Sequence, residues 1–328
     1  MAGYGALSDV YEWLMPEGKL TPAGSVATFN DLVEQLPPKA RVLDCACGTG
    51  QLAVGLAALG LDVVATDASA GMVRRTQQLA EQHGVPLPTL RARWDELPDR
   101  LDESSPFDLI FCVGNSLAHA EGASARSDAL TAMSRLLGRD GRLVVTSRTW
   151  ELVRARGSRL DVADRLVRRQ SRDAVVVYNW QIEQRWDEEH HLEIAVAQVA
   201  SDGSVLTHCE RLSCWPFRQE ELVSQLQGGR TCCGVQHLRP GRRELHGDRH
   251  QGGRAHRCLN HLAPVACQPR MGAQDGQGPV RADAAEPVVC AVINGARAGG
   301  YRRPKSGCEI KGGFHSRRDP PLAPGSAA

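Results

Sequence analysis

The stretch "VLDCACGTG" (residues 42–50) constrains the fold of this chain more than any other. A short apolar run ends in an acid, Asp44, and passes at once into a turn carrying Gly48 and Gly50. Leu52, Leu56 and Leu59 then recur at helical spacing until Gly60. Strand, glycine turn and helix in that order let the backbone approach a ligand closely and aim helix N–H groups at it. Pyrophosphate, the common guest of such a turn, is repelled by a carboxylate beside it. The ligand expected at Asp44 therefore carries positive charge or hydroxyls at that point. "GTGQLA" also fits the G-x-G-x-x-A pattern of nicotinamide sites, but the strand before that pattern is ordinarily apolar throughout, and here it holds Asp44.

A second acid, Asp67, ends the following strand, "DVVATD" (62–67), where a carboxylate accepts two hydrogen bonds from ribose hydroxyls. An acid at a cationic amino-acid end and another on a ribose together describe S-adenosyl-L-methionine. Met72, Thr76, Leu79 and Ala80 mark one face of a helix closed by Gly84. "LRAR" (90–93), "FDLIFCV" (107–113) and "GRLVVTS" (141–147) read as strands, and a helix carrying Leu130, Met133, Leu136 and Leu137 precedes the last. Alternating units of this kind predict a parallel sheet with helices on both faces. After the fifth strand the period changes. "AVVVYNWQIEQRW" (174–186), "HLEIAVAQVA" (191–200) and "SVLTHCERLSCW" (204–215) predict three antiparallel strands, joined by an acidic turn and by "SDG", and "RQEELVSQLQGG" (218–229) predicts an amphipathic helix.

Composition matters most at the C-terminal end. Residues 228–328 hold 16 of the 39 Lys and Arg but 7 of the 38 Asp and Glu, with 17 of the 33 glycines and only Tyr301 and Phe314 as aromatics. That text has little apolar surface to set against chain entropy and reads as largely disordered. It also has the character of a coding sequence read out of frame after about Gln227. One island, "EPVVCAVIN" (286–294), reads as a strand. The expected fold is α/β: a doubly wound, Rossmann-like, mostly parallel sheet with an inserted antiparallel three-stranded meander and a disordered C-terminal tail. Its parts are an N-terminal helical arm or lid (1–37), an S-adenosylmethionine-binding core (38–150), a substrate-cap meander with its following helix (151–227), and the basic tail (228–328).

No apolar run approaches the ~20 residues that span a bilayer, and the N-terminus lacks the basic start and apolar stretch of a signal peptide. A cytoplasmic protein with no membrane partner is expected, its eleven cysteines reduced thiols. Cys232, Cys233, His237, Cys258, His261 and Cys267 match no paired C-x-x-C frame, so no metal is expected. The basic tail lacks the interleaved aromatics of a nucleic-acid surface, so no nucleic-acid partner is expected either. A homo-oligomer is left open.

At its motifs the chain resembles class I S-adenosylmethionine-dependent methyltransferases, and among them the glycine/sarcosine N-methyltransferase group. The resemblance is good over residues 40–155 and loose over 174–226. "VLDCACGTG" and "VVATDAS" are similar to the family's first two cofactor motifs. "RW" (93–94) stands where the group has Asn-Trp, "VGNSLAH" (113–119) is similar to its G-N-S-x-A-H segment, "SRTW" (147–150) resembles H-R-N-Y, and "RLSCWP" (211–216) resembles R-L-S-x-Y-P. The resemblance implies that Ala46 and Asp67 touch the cofactor, that Arg93 and Trp94 flank its adenine, and that Val113, Gly114, Asn115 and Ser116 line its methionine end. It further implies that Arg148 holds the carboxylate of an amino-acid acceptor and that an N-terminal arm contributes aromatics, for which Tyr4, Tyr11 and Trp13 are the candidates. The group's arm also brings an arginine, yet no arginine precedes residue 41 here.

The chemistry implied is in-line attack of a neutral amine on a sulfonium methyl, which needs alignment more than a dedicated base. Arg148 would grip a carboxylate through two parallel hydrogen bonds, and the carbonyl of Asn115 would orient the amine. Aromatic faces at Tyr178, Trp180 or Trp215 would attract the developing cation, although Tyr178, Trp180 and Ile182 read equally well as core on one strand face. His119 reads as a structural hydrogen-bonder. Three functions stay open at this stage: methyl transfer to a glycine- or sarcosine-like amine, transfer to another small N or O acceptor, and cofactor binding without activity because an altered C-terminus leaves the sheet edge open.

Overall fold

The computed structural model describes residues 4–163, 167–169, 172–228 and 288–294, all within one unit, Met1–Ala296. An arm of short 3-10 turns leads to α1 (Pro22–Ala27), capped by Thr21 Oγ1 accepting from Gly24 N at 3.1 Å, and α2 (Asn30–Val33). Strand–helix alternation follows in the predicted order: β1 (Arg41–Asp44), α3 (Gln51–Ala58), β2 (Asp62–Asp67), α4 (Ala70–His83), β3 (Thr89–Arg91), α5 (Leu97–Arg100), β4 (Phe107–Cys112), α6 (Gly122–Arg135) and β5 (Leu137–Arg148). The chain then runs through α7 (Trp150–Ala155), β6 (Arg159–Val162), β7 (Val167–Arg169), β8 (Arg172–Gln181), β9 (His190–Val199), β10 (Val205–Cys214), α8 (Gln219–Gly228) and β11 (Val288–Asn294).

The first sheet has the order β11-β5-β4-β1-β2-β3, its five consecutive strands parallel. Alternate strand residues feed two cores, as the pleat requires. Val42, Val63, Leu109, Phe111 and Val144 pack with Leu52, Ala53 and Leu56 of α3 and with Val26, Phe29 and Leu32. On the other face, Leu43, Ile110 and Val145 pack with Leu130 and Met133 of α6 and with Trp180, Leu192, Ile194 and Leu212. The second sheet therefore shares one continuous core with the first.

That second sheet is larger than the expected meander. It has five strands, β10-β9-β8-β6 with β7 also paired to β8, all antiparallel. β6 and β7 escape a sequence reading because each is short: β6 (RLDV) alternates, but its apolar Leu160 and Val162 are exposed, and β7 (VRR) carries two adjacent arginines. One further expectation is corrected: Leu59 is 60% exposed and stands outside the buried stripe of α3. The island that reads as a strand is one: residues 288–294 form β11, antiparallel to β5 with Val292 opposite Val144, and cover that edge of the sheet. The remainder of 229–328, including Cys232, Cys233, His237, Cys258, His261 and Cys267, lies outside the described residues.

Candidate functional site

The parallel strands β1, β2 and β4 end together, and the loops after them build the site. Gly48 (φ +56°) and Gly50 (φ +91°) turn the chain out of β1 in a left-handed conformation that L side chains rarely adopt. A Cβ on Gly50 would lie 2.8 Å from the side chain of Thr76, whose hydroxyl donates to Gly48 O at 2.9 Å. α4 thus braces the turn directly. Asp67, at the end of β2, accepts from Gly48 N at 3.0 Å and Ser69 N at 2.8 Å, so the two strand ends are tied by the second acid.

Asp44 is the electrostatic oddity. It is buried, its Oδ1 has no hydrogen-bond partner, and burial pushes its carboxyl up to about 7, against the opposing pull of the Ala46 N–H and with a small addition from Asp67. Burial also raises Asp67, while the Ser69 and Gly48 N–H groups lower it. A buried carboxylate with one oxygen lacking a donor suits a cationic ligand group. The adenine-side pair divides. Trp94 is half-buried and donates its indole N–H to Cys45 O, at the end of β1, at 2.9 Å. Arg93 instead extends into solvent toward Asp95 at 3.0 Å, its side chain 57% exposed.

The loop after β4 is fastened to the end of β5. Val113 packs beside the first core, Ser116 Oγ donates to Val113 O at 2.8 Å, and Gly114 N donates to Thr146 Oγ1 at 2.9 Å. Asn115 (φ +69°) accepts at Oδ1 from both Ser147 Oγ and Arg148 N, each at 3.1 Å. Those two donors use the lone pairs of the side-chain oxygen, and its backbone carbonyl receives Ala118 N. The side-chain oxygen of Asn115 is thus engaged with the end of β5, and its backbone carbonyl keeps one lone pair beside the cavity it lines.

Arg148 faces a cavity of about 100 Å³. For scale, ~150 Å³ of dry cavity holds a benzene, so the space suits a ligand of about five heavy atoms. Gly114, Asn115 and Trp150 line it from the parallel-sheet side. Tyr178, Trp180, Leu192, Ile194, Leu212 and Cys214 come from the second sheet, and Tyr4, Tyr11 and Leu14 from the arm. Trp215 does not line it. Leu212 and Cys214 alternate onto the cavity face of β10, so the next residue is out of phase, and its N–H donates to Ala118 O at 2.7 Å. Trp13 is buried in the core, away from the cavity lining.

The arm is pinned on both sides. Gly5 N and Leu7 N donate to the Glu210 carboxylate at 2.9 and 3.0 Å, and Arg169 donates to Glu12 O, Met15 O and Glu17. Tyr11 passes within about 4.0 Å of where a Gly48 side chain would begin, so its ring stands between the glycine turn and the cavity. Tyr4 packs edge-on to both Tyr11 and His119. His119 Nδ1 lies 2.7 Å from Ser213 O and Nε2 3.2 Å from Tyr4 Oη. A carbonyl only accepts, so Nδ1 carries the proton and Nε2 accepts from the tyrosine. Burial, with help from Arg148, holds the imidazole below its ordinary pKa, so it is neutral near pH 7. Sequence reasoning missed Leu14, Trp150, Leu192, Ile194, Leu212 and Cys214; period-two alternation in β9 and β10 is the signal that finds the last four.

A parallel sheet with acids at two adjacent strand ends, a glycine turn and an aromatic-lined cavity is a layout that suits a methyltransferase domain. Residues 42–141 match the family described as "Methyltransferase domain". The chain is 31% identical to glycine/sarcosine N-methyltransferase of Aphanothece halophytica over 34% of its own length and 42% of that enzyme's. It is 29% identical to glycine N-methyltransferase of Rattus norvegicus over 36% and 43%. The chain thus spans about two fifths of the length of the curated relatives it matches. Among solved structures, an S-adenosylmethionine-dependent methyltransferase from Clostridium acetobutylicum superposes with a TM-score of 0.59 at 14% identity, covering 89% of this chain and 98% of that one. Over residues 42–141 the chain is therefore similar to S-adenosylmethionine-dependent methyltransferase domains. No helix among the described residues is long and apolar enough to cross a membrane.

Proposed function

We propose that the protein transfers a methyl group from S-adenosyl-L-methionine to the amine of a small, carboxylate-bearing acceptor of the glycine or sarcosine type. One observation carries the acceptor class: with His119 neutral, Arg148 is the one formally charged side chain among the described residues lining the cavity. A guanidinium facing an aromatic-lined space suits a small anion, and its planar fork fixes a carboxylate's direction as well as its place.

The residues fit the cofactor. Asp44, with its unpartnered Oδ1, would meet the ammonium group, Asp67 the ribose hydroxyls, the Gly48–Gly50 turn and Ala46 the backbone side, and Trp94 the adenine. Gly114 and Ser116 would border the amino-acid end. When bound, the cofactor supplies an electrophilic methyl carbon. Arg148 holds the acceptor's carboxylate, and its positive charge favours the neutral, nucleophilic form of the amine. Asn115 keeps Arg148 in place through its backbone N–H. Tyr4, Tyr11 and Tyr178 exclude water and offer π-faces to the charge that develops on nitrogen.

The test is mass spectrometry of the purified protein with labelled cofactor and a panel of amino acids and amines. Methylated glycine or sarcosine is expected, and Arg148→Lys is expected to raise the acceptor KM tenfold or more. A carboxylate-free amine that outperforms glycine would overturn the acceptor assignment. A second reading, transfer to another small N or O acceptor, draws on the aliphatic wall of Leu192, Ile194 and Leu212, which offers an apolar group a surface to pack on.

A further inference from the structure

Trp180 has an unexpected set of neighbours for a residue foreseen as part of an aromatic cage. The indole is 4% exposed and lines the cavity. The Arg148 guanidinium carbon lies 5.3 Å from its ring centroid, and that of Arg159 lies 4.9 Å away. Both distances are within the ~6 Å over which a ring quadrupole attracts a cation. The π-surface of Trp180 therefore serves two protein cations rather than the acceptor's nitrogen.

Each element of this stack is held by the fold. Arg159 on β6 pairs directly across the ladder with Trp180 on β8. Its Nε donates to Asp161 Oδ2 at 2.8 Å and its Nη1 to Gly157 O at 3.1 Å and Val153 O at 3.4 Å. Asp161, which also meets Arg156 at 3.4 Å, offsets the charge of Arg159, so the cationic backing of the indole carries its own counter-ion. Arg148 donates its backbone N–H to Asn115 Oδ1. Asn115 thus fixes where the Arg148 side chain starts, and the Trp180 face bears on where its guanidinium ends. Lateral freedom of a guanidinium on an aromatic plane is small, and carboxylate gripping by two parallel bonds tolerates little rotation.

We propose that Trp180, backed by Arg159, is the positioning residue that aims the Arg148 guanidinium at the acceptor's carboxylate, and so sets the preference for carboxylate-bearing over carboxylate-free acceptors. This rests on the reading of Arg148 given above. The experiment compares wild type with Trp180→Leu, Trp180→Phe and Arg148→Lys in the full chain. It measures glycine and glycinamide as acceptors, acetate as competitor, and S-adenosylhomocysteine binding by calorimetry. Trp180→Leu is expected to raise the glycine KM and the acetate Ki together by roughly tenfold, a clearly larger loss than glycinamide shows, with nucleoside affinity as the check on folding. Trp180→Phe, which restores a face for the guanidinium, is expected to recover most of the loss.

An unchanged acetate Ki in folded Trp180→Leu would overturn the proposal, and so would equal losses for glycine and glycinamide. Should the leucine variant not fold, Trp180→Phe and Trp180→Tyr carry the test: glycine KM within about threefold of wild type with a glycinamide KM equal to wild type supports it, and a loss shared by both acceptors refutes it. Failure of the underlying reading looks different. There, wild type itself shows no acetate inhibition and Arg148→Lys leaves glycine kinetics unaltered.

Discussion

Replacing Asp44 by asparagine keeps the shape of the first strand end and removes a charge that burial opposes. The carboxyl is pushed from 3.8 up to about 7, chiefly by desolvation. The folded protein therefore holds this proton more tightly than the unfolded chain does. Between those two values the native state carries the extra proton, so stability falls as pH rises through the window, and the full cost is present above about 7. A difference of about 3 units at about 1.36 kcal/mol each corresponds to roughly 4 kcal/mol. That figure is an upper bound on what Asp44→Asn recovers in the ligand-free protein at pH 8. Near pH 4, where the wild-type carboxyl is protonated in the folded state, the variant should differ little. The cofactor's effect has the opposite sign. A cationic ligand group stabilises the ionised carboxylate, so wild-type affinity for S-adenosylhomocysteine should rise from pH 6 to pH 8 with proton release. Asp44→Asn should bind at least tenfold more weakly and lose that pH dependence. Urea melts at pH 5 and 8, with calorimetry in two buffers of different ionisation enthalpy, check both halves. Equal stability shifts at the two pH values, or nucleoside binding as tight as wild type, would refute the assignment of Asp44 as an unpaired carboxylate awaiting a cation.

Two more perturbations follow from single contacts. Gly50→Ala puts a Cβ at φ +91° and 2.8 Å from the Thr76 side chain; a stability loss of roughly 1–3 kcal/mol in denaturant melts and a larger loss of nucleoside affinity are expected, while Gly60→Ala, whose Cβ meets open space, should cost only the first. The Tyr4 to His119 bond needs an unprotonated Nε2, and burial holds His119 below its ordinary value of 6.5. The native state thus binds fewer protons than the unfolded chain below that pH, and stability falls as acid is added. Hydrogen exchange in residues 4–14 should accelerate between pH 7 and 5 in wild type; in Tyr4→Phe it should be fast already at pH 7 and nearly flat with pH.

The parallel half of the molecule was legible because its signals are local. An apolar strand, an acid, glycines with φ above zero and a helical stripe occupy one contiguous stretch, and nothing distant is needed to interpret Asp44 or Asp67. The acceptor side was legible only in pieces, because it is assembled from residues far apart in the chain whose orientation depends on register. Leu212 and Cys214 reach the cavity and Trp215 does not, a distinction of one residue that "RLSCW" cannot express until β10 is paired to β9, with Leu212 opposite Leu192. The same holds for Trp180: aromatic residues in a strand suggest a cage, yet its partners arrive from β5 and β6 across two sheets. Glycine, proline and arginine dominate the text after residue 228, yet the island "EPVVCAVIN" reads as a strand, and its residues 288–294 pair along β5 from Arg142 to Arg148 at the edge beside Arg148. An isolated strand has no stability of its own, so the sequence could show the strand but not the sheet that receives it. The order of legibility therefore follows the range of the interactions: backbone conformation first, strand period next, side-chain aim last, and it is side-chain aim that decides which acceptor the cavity takes.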